Sequence, residues 1–570
     1  MGNSEGPRAP RDPAAKRRGF YIMRGKQIAG SPQPDGRGIQ YIYLDGERLV
    51  SFARIAGNIT EEGILGLLRR AEGFRRLVHG IGVTIEMTEG ESGTAEFVFQ
   101  MYGRKEDGAS GTEIKEDIPA DGMERVLELD KYEWSEADDV PGQMRFVLPQ
   151  AGSLALASVK LYLRDGYSVP EEAEEETVDL GTAAYREMLE RSLMQTGNPA
   201  RLQKAIGRAR QGEDVTVAFI GGSITQGAGA VPIHTECYAY KTFENFCSLA
   251  GRGTEENIHY VKAGVGGTPS ELGMLRYERD VLRDGTVEPD VAVVEFAVND
   301  GGDETGGECY DSLVRKILSA PNAPAVILLF AVFADDWNLQ ERLRPVGEAY
   351  DLPMVSIRDA VVEQFGKKAG TGKVFSKAAF FYDCYHPSNL GHRVMADCVA
   401  HLLRTVDAMP TAEDCLRLEE RKPPLGGEFE AVKLFDRNSG EGDIQVDCGS
   451  FFHRDEELQA VEIDRDLIPT KEFPYNWMHR AGEKAFSMDI TCSALFLIYK
   501  DSGSSDVGRA EVLVDGEKVL TADPHINGWI HCNAAICFRG RERGRHHVEI
   551  RMVPGEEEKE FTILGFGYVR

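Results

Sequence analysis

The stretch Val215-Thr216-Val217-Ala218-Phe219-Ile220-Gly221-Gly222-Ser223-Ile224-Thr225-Gln226-Gly227 constrains the fold more than any other part of the chain. Its run of small and β-branched apolar residues is the pattern of a strand buried on both faces of a parallel sheet. It ends in glycines and a hydroxyl. In open α/β sheets reactive groups collect at the carboxyl ends of the strands, where glycine lets a backbone N–H approach a substrate closely. Ser223 is therefore a candidate nucleophile; the plainer alternative is a Gly-Gly-Ser turn feeding a helix.

The same period continues to about residue 407. Apolar strands at 215–221, 258–264, 290–298, 324–333 and 353–357 alternate with amphipathic helices near 237–250, 269–283, 308–319, 339–350 and 388–405. That alternation predicts βαβ units with right-handed crossovers in a doubly wound parallel sheet. On either side the period changes to short alternating segments broken by Gly, Asp, Ser and Pro turns, such as 40–44, 83–87, 95–99 and 159–163 before it, and 486–490, 495–499, 510–514 and 561–568 after it. Those patterns predict β-sandwiches, the first jelly-roll-like with one helical interruption at 61–76.

The expected organisation is a disordered tail at 1–19, a β-sandwich at 20–170, an acidic linker with helices at 171–212, the α/β unit at 213–407 and a second β-sandwich at 408–570. The tail is rich in Pro, Gly, Arg and Lys and almost free of large apolar residues, so it has too little to bury.

With 65 basic and 93 acidic residues the net charge is -28, which repels phosphate backbones and anionic lipid surfaces. Nucleic acid and membrane are thus not expected partners, whereas a neutral glycan or small ester is compatible; a homo-oligomer stays open. The ten cysteines are scattered without a CxxC pair or a tight Cys/His cluster, which points to reduced thiols. The N-terminus lacks an apolar signal region, and no apolar run approaches spanning length. A cytoplasmic protein is expected, with a secreted one open if a signal peptide has been trimmed.

A nucleophilic serine needs a base, a group that orients the base, and oxyanion donors. Asp383-Cys384-Tyr385-His386-Pro387 offers the first two on one short loop before the last helix, and Pro387 biases His386 away from helical backbone angles. The second strand ends in Gly264-Val265-Gly266-Gly267-Thr268 and the third in Ala297-Val298-Asn299-Asp300. Strand ends carrying Ser223, Gly267 and Asn299 would converge with that loop.

These blocks resemble those of the SGNH/GDSL hydrolase superfamily. Gly-Gly-Ser-Ile-Thr-Gln-Gly is similar to its first block, Gly267 to the glycine of its second, Ala297-Val298-Asn299-Asp300 to its Gly-x-Asn-Asp block and Asp383-x-x-His386 to its last. The resemblance covers roughly 213–407. It implies a flavodoxin-like α/β domain, Ser223 as nucleophile, His386 as base, Asp383 as orienter, and an oxyanion hole made by the Ser223 N–H, the Gly267 N–H and the Asn299 side chain. Gly222 replaces the usual Asp beside the serine, and Ala297 replaces the first glycine of the third block. Neither change removes a reacting group.

A domain of this superfamily between β-sandwiches looks like bacterial carbohydrate acetylesterases, including acetylxylan esterases. The resemblance implies removal of O-acetyl groups from an acetylated oligosaccharide of xylan or mannan type, with no metal and no cofactor. Alternatives are a general short-chain esterase or lipase, and a glycan-binding protein without activity.

Other sites read weakly. Proline stands where G-x-G-x-x-G needs its last glycine in both Gly-rich turns, and no Lys-Ser/Thr follows for a P-loop. His392 and His401 match no zinc spacing and read as structural or solvent-facing, and His546 and His547 point to opposite faces of a strand. Cys384 has no histidine placed to activate it. Trp477, in an aromatic loop, is a candidate platform for stacking a sugar.

Overall fold

The computed structural model describes residues 18–88, 93–104, 110–168, 178–250, 256–368, 370–440, 442 and 444–570. The predicted tail falls almost wholly, and the acidic run at 171–176 entirely, outside them.

At the centre lies a six-stranded sheet ordered Leu193–Gln195, Met354–Ser356, Ala325–Phe330, Val291–Glu295, Val215–Gly221, Ile258–Gly264. Five strands are parallel; the short Leu193–Gln195 runs antiparallel at one edge. Numbered along the chain, the parallel strands stand in the order 2-1-3-4-5, which is the flavodoxin-like arrangement. Its switch point is the crevice between Val215–Gly221 and Val291–Glu295, where successive connections leave to opposite sides. Gly221 pairs with both Gly264 and Glu295. Three strand ends thus finish level with one another.

Helices cover both faces, as continuous apolar strands require. On one side Tyr238–Ala250, Ile357–Gly366 and Asn389–Ala408 pack with Ala183–Ser192 and Ala200–Gln211. Segment 183–211, expected in a linker, is therefore part of the α/β unit, because Tyr185, Met188, Leu202 and Ile206 have the sheet to bury against. The helix Ile357–Gly366 was not foreseen: it starts directly at the end of a strand, with the Ser356 side chain accepting from the Asp359 N–H.

The N-terminal unit is two antiparallel sheets over one core, ordered Gly19–Ala29, Leu154–Leu163, Val78–Met87, Arg125–Glu128 and Ser31–Pro32, Gly38–Tyr43, Asp138–Leu148, Thr94–Gly103, Ser110–Pro119. The single helical interruption expected at 61–76 is three helices, Glu47–Ile55, Glu62–Leu68 and Ala71–Leu77. Arg70 adopts extended angles and separates the last two, while Asp45 and Gly46, both at positive φ, turn the preceding strand into the first.

The C-terminal unit has two five-stranded antiparallel sheets, one built on Ala494–Asp501 and Phe561–Val569, the other on Phe486–Cys492 and Gly544–Met552, and a small antiparallel pair of Ala460–Val461 with Thr470–Lys471. The outer face of the first sheet is not solvated. Phe429, Phe496, Ile498 and Leu564 share a core with Leu272, Leu275, Tyr310 and Leu313 of the central helices. Burial of this apolar face fuses the C-terminal unit to the α/β unit, which a strand-by-strand reading of the sequence does not reveal.

Candidate active site

Ser223 opens the four-residue helix Ser223–Gln226, immediately after the first parallel strand. Its Oγ lies 3.0 Å from His386 Nε2, and His386 Nδ1 lies 2.9 Å from Asp383 Oδ2. The other Asp383 oxygen accepts the N–H groups of Tyr385 and His386, both at 2.8 Å. Burial raises the cost of charge on Asp383, but the facing His386 ring and these hydrogen bonds outweigh it and hold the carboxyl below the usual range. An ionised Asp383 requires Nδ1 of His386 to carry its proton. Nε2 is then left to accept from the serine hydroxyl.

The loop that carries Asp383 and His386 is closed on itself, with Tyr382 N–H donating to the His386 carbonyl at 2.8 Å. Gly229, at φ +89°, lies against it. A Cβ there would collide with the Pro387 carbonyl and crowd the His386 and Tyr382 side chains, so only glycine lets the two loops approach this closely.

Gly267 and Asn299 stand on the two neighbouring strand ends. Gly267 is left-handed at φ +71°. The Asn299 amide occupies the space a Cβ on Gly222 would need, at 2.5–2.6 Å, so the glycine beside the serine leaves room for that amide. Ala297 is fully buried in the shared core, and its carbonyl accepts from Leu339 N–H at 2.8 Å.

Beneath the serine runs a buried polar chain. Tyr238 OH meets Thr225 Oγ1 at 2.8 Å, and Thr225 donates to Glu295 Oε2 at 3.1 Å. Burial pushes the Glu295 carboxyl up to about 8. Its proton is thus retained in the folded protein long after the unfolded chain has released it. Stability from this group is full below the ordinary carboxylate pKa and is lost as pH rises through about 8. Glu295→Gln, isosteric and always neutral, is expected to match wild type in melting temperature at pH 4 and to exceed it at pH 9, by roughly 2–5 kcal/mol in unfolding free energy. A difference that does not change with pH would contradict this.

His392 is buried and satisfied: Nδ1 accepts from Tyr238 N–H at 3.1 Å and Nε2 donates to the Ala228 carbonyl at 3.0 Å. Burial drives it down to about 3, so it stays neutral and braces the loop after the serine helix. Burial and the adjacent Asp383 push the Cys384 thiol up to about 12, which leaves it a poor nucleophile at neutral pH. Among the described residues one group of metal-ligand type, Glu271, Asp303 and Cys309, has its ligating atoms within 4.8 Å of one another. Asp303 is already taken up by Thr305 and Gly307, and burial, with Asp303 beside it, pushes Glu271 up to about 9. Glu271 therefore keeps its proton beside Asp303, which does not suit a cation.

Trp477 does not reach the site. It is 4% exposed and packs among Phe435, Phe486 and Phe566, because 477–479 is a strand paired with Phe561–Val569 rather than a loop. An exposed aromatic near Gly267 is Trp529, 46% exposed, which with His531 stands about 3 Å from where a Gly267 side chain would begin.

Two further contacts come from the flanking units. Gln459 Nε2 donates to the Gly266 carbonyl at 2.8 Å, while the Gly266 N–H donates to Gln226 Oε1 at 2.8 Å. Since the Gly266 carbonyl and the Gly267 N–H share one planar peptide, Gln459 sets the direction of that N–H. From the N-terminal unit, the Lys26 ammonium donates to the carbonyls of Ala378 (2.6 Å) and Phe381 (2.9 Å), at the base of the Asp383–His386 loop. Burial lowers Lys26 to about 8, partly offset by Asp383. No motif marks either residue.

A Ser–His–Asp hydrogen-bond chain at the switch point of a 2-1-3-4-5 sheet is an arrangement that can support nucleophilic chemistry at the serine. Residues 219–394, most of the α/β unit, match the GDSL-like Lipase/Acylhydrolase family. In fold the chain is similar to a two-domain esterase active on acetylated mannans, with 24% identity and a TM-score of 0.56 over 67% of this chain and 99% of that one. A two-domain esterase active on acetylated mannans, co-crystallized with mannopentaose, is 25% identical, with a TM-score of 0.55 over 67% of this chain and 98% of that one. No curated protein matches the chain. No helix among the described residues is long and apolar enough to cross a membrane.

Proposed function

We propose that the protein is a serine esterase that removes O-acetyl groups from oligosaccharides or polysaccharides of mannan or xylan type. The observation that carries this reading is the continuous Ser223–His386–Asp383 hydrogen-bond chain beside the Gly267 and Asn299 donors. The likeness to esterases of acetylated mannans supports the choice of substrate.

In the proposed reaction Ser223 Oγ attacks the acetyl carbonyl carbon as His386 Nε2 takes the hydroxyl proton. The carbonyl oxygen becomes an oxyanion held by the N–H groups of Ser223 and Gly267 and by the Asn299 amide. The intermediate collapses by breaking the bond to the sugar oxygen, which leaves with the proton from His386. Water then attacks the acetyl-serine as His386 takes its proton, and this second intermediate collapses by breaking the bond between the acyl carbon and Ser223 Oγ, which takes the proton back from His386 as acetate leaves. Asp383 remains ionised throughout and stabilises the imidazolium. Trp529 and His531 form a wall close to Gly267, which favours a short acyl group over a long one.

The test is acetate release from acetylated manno- and xylo-oligosaccharides, with p-nitrophenyl acetate and p-nitrophenyl octanoate compared alongside. Acetate released from the sugars, with acetate esters preferred over octanoate, is expected. Octanoate preference without release from sugars would favour a general esterase or lipase.

A further inference from the structure

The solvent side of the N-terminal unit carries an aromatic arrangement that the reaction does not use. Tyr41 and Tyr43 alternate with buried Ile42 on Gly38–Tyr43 and so point to the same face. They are 40% and 50% exposed, with ring centroids 6.5 Å apart and planes within 12°. The track does not end at this unit. The Arg48 guanidinium lies 5.9 Å from the Tyr43 ring and 5.7 Å from that of Tyr385, which is 39% exposed. Tyr385 is the residue before His386, and the two rings are 6.2 Å apart.

Amides sit beside the rings. Gln143 pairs in register with Tyr43, and Gln100 pairs with Gln143, so all three share one face. Gln143 Nε2 donates to Gln100 Oε1 at 2.6 Å. Flat rings with amide and guanidinium groups between them match a sugar chain, whose pyranose faces present C–H bonds and whose rims present hydroxyls. A protein-docking patch would be expected to centre on a desolvated apolar pocket instead.

We propose that Tyr41, Tyr43 and Tyr385, with Arg48 between the latter two rings, form a subsite for the neutral oligosaccharide that flanks the reacting sugar. The N-terminal unit then extends the binding cleft along the glycan. The inference rests on the glycan esterase reading, because continuity with His386 is what names the occupant.

The experiment uses the full chain and the double variant Tyr41→Ala/Tyr43→Ala, with Tyr43→Phe as the variant that keeps the ring. Calorimetric binding of unacetylated manno- and xylo-hexaose and of the corresponding disaccharides is measured beside p-nitrophenyl acetate turnover. Hexaose binding is expected to weaken about tenfold in the double variant and to survive in Tyr43→Phe, with disaccharide binding and p-nitrophenyl acetate turnover unchanged. Hexaose binding equal to wild type overturns the subsite, whether or not the variant alters self-association. So does equal binding of hexaose and disaccharide by the wild type. Ring-dependent hexaose binding without acetate release from any acetylated glycan would keep the subsite and reject the esterase reading; acetate release that is indifferent to the tyrosines, with hexaose binding unchanged, would do the reverse.

Discussion

Ser223→Ala is expected to lower kcat for an acetyl ester by roughly 10⁴- to 10⁶-fold, with KM little changed and the fold intact. The hydroxyl is the only atom lost. Its partner His386 Nε2, at 3.0 Å, keeps its bond to Asp383 through the opposite nitrogen, so the loop has no reason to rearrange. Residual turnover above the uncatalysed rate would come from the Gly267 and Asn299 donors acting on direct attack by water. Steady-state kinetics on p-nitrophenyl acetate, with a melting curve to show that the variant folds, checks this. A loss of less than about tenfold would remove Ser223 from the reaction.

The second largest effect is expected at Asn299. Asn299→Ala deletes the one side-chain donor proposed for the oxyanion, and such deletions cost about 10²- to 10³-fold in kcat. KM should hold, because the charge that Asn299 meets develops only in the transition state. The variant leaves a gap beside Gly222, whose missing Cβ is what accommodates the amide. A rise in KM at unchanged kcat would make Asn299 a substrate-binding residue and not an oxyanion donor.

Much of this centre was legible before the structure, for a physical reason. Strands buried on both faces lose their polar alternation, so 215–221, 258–264 and 290–298 stand out in the sequence, and glycine or asparagine at the end of each marks a turn at the sheet edge. The Asp383-x-x-His386 loop is local and is read from four residues. Contacts made across the chain were not legible. Lys26 meets the 378–381 carbonyls, and Gln459 meets Gly266, through ordinary side chains whose neighbours depend on how the units pack. The same limit explains Trp477. Its surroundings look like an aromatic loop, yet it becomes a buried strand because Phe561–Val569 arrives from the end of the chain to pair with it. Trp529, by contrast, stays exposed near Gly267 although nothing in its own segment points there.

The departures from the family blocks also have local causes. Gly222 yields space to Asn299, and Ala297 is buried in the core that the α/β unit shares with the C-terminal unit. Both alter packing around the reacting groups and leave the groups themselves in reach of one another.

The most direct measurement is covalent labelling with an organophosphonate that forms an adduct with activated serines, followed by peptide mass mapping and parallel assay of acetyl ester hydrolysis. One adduct per chain, on Ser223, with activity falling in step with its formation and no adduct in Ser223→Ala, is the predicted result. Hydrolysis that survives complete labelling of Ser223, or inactivation by an adduct on another residue, would contradict it.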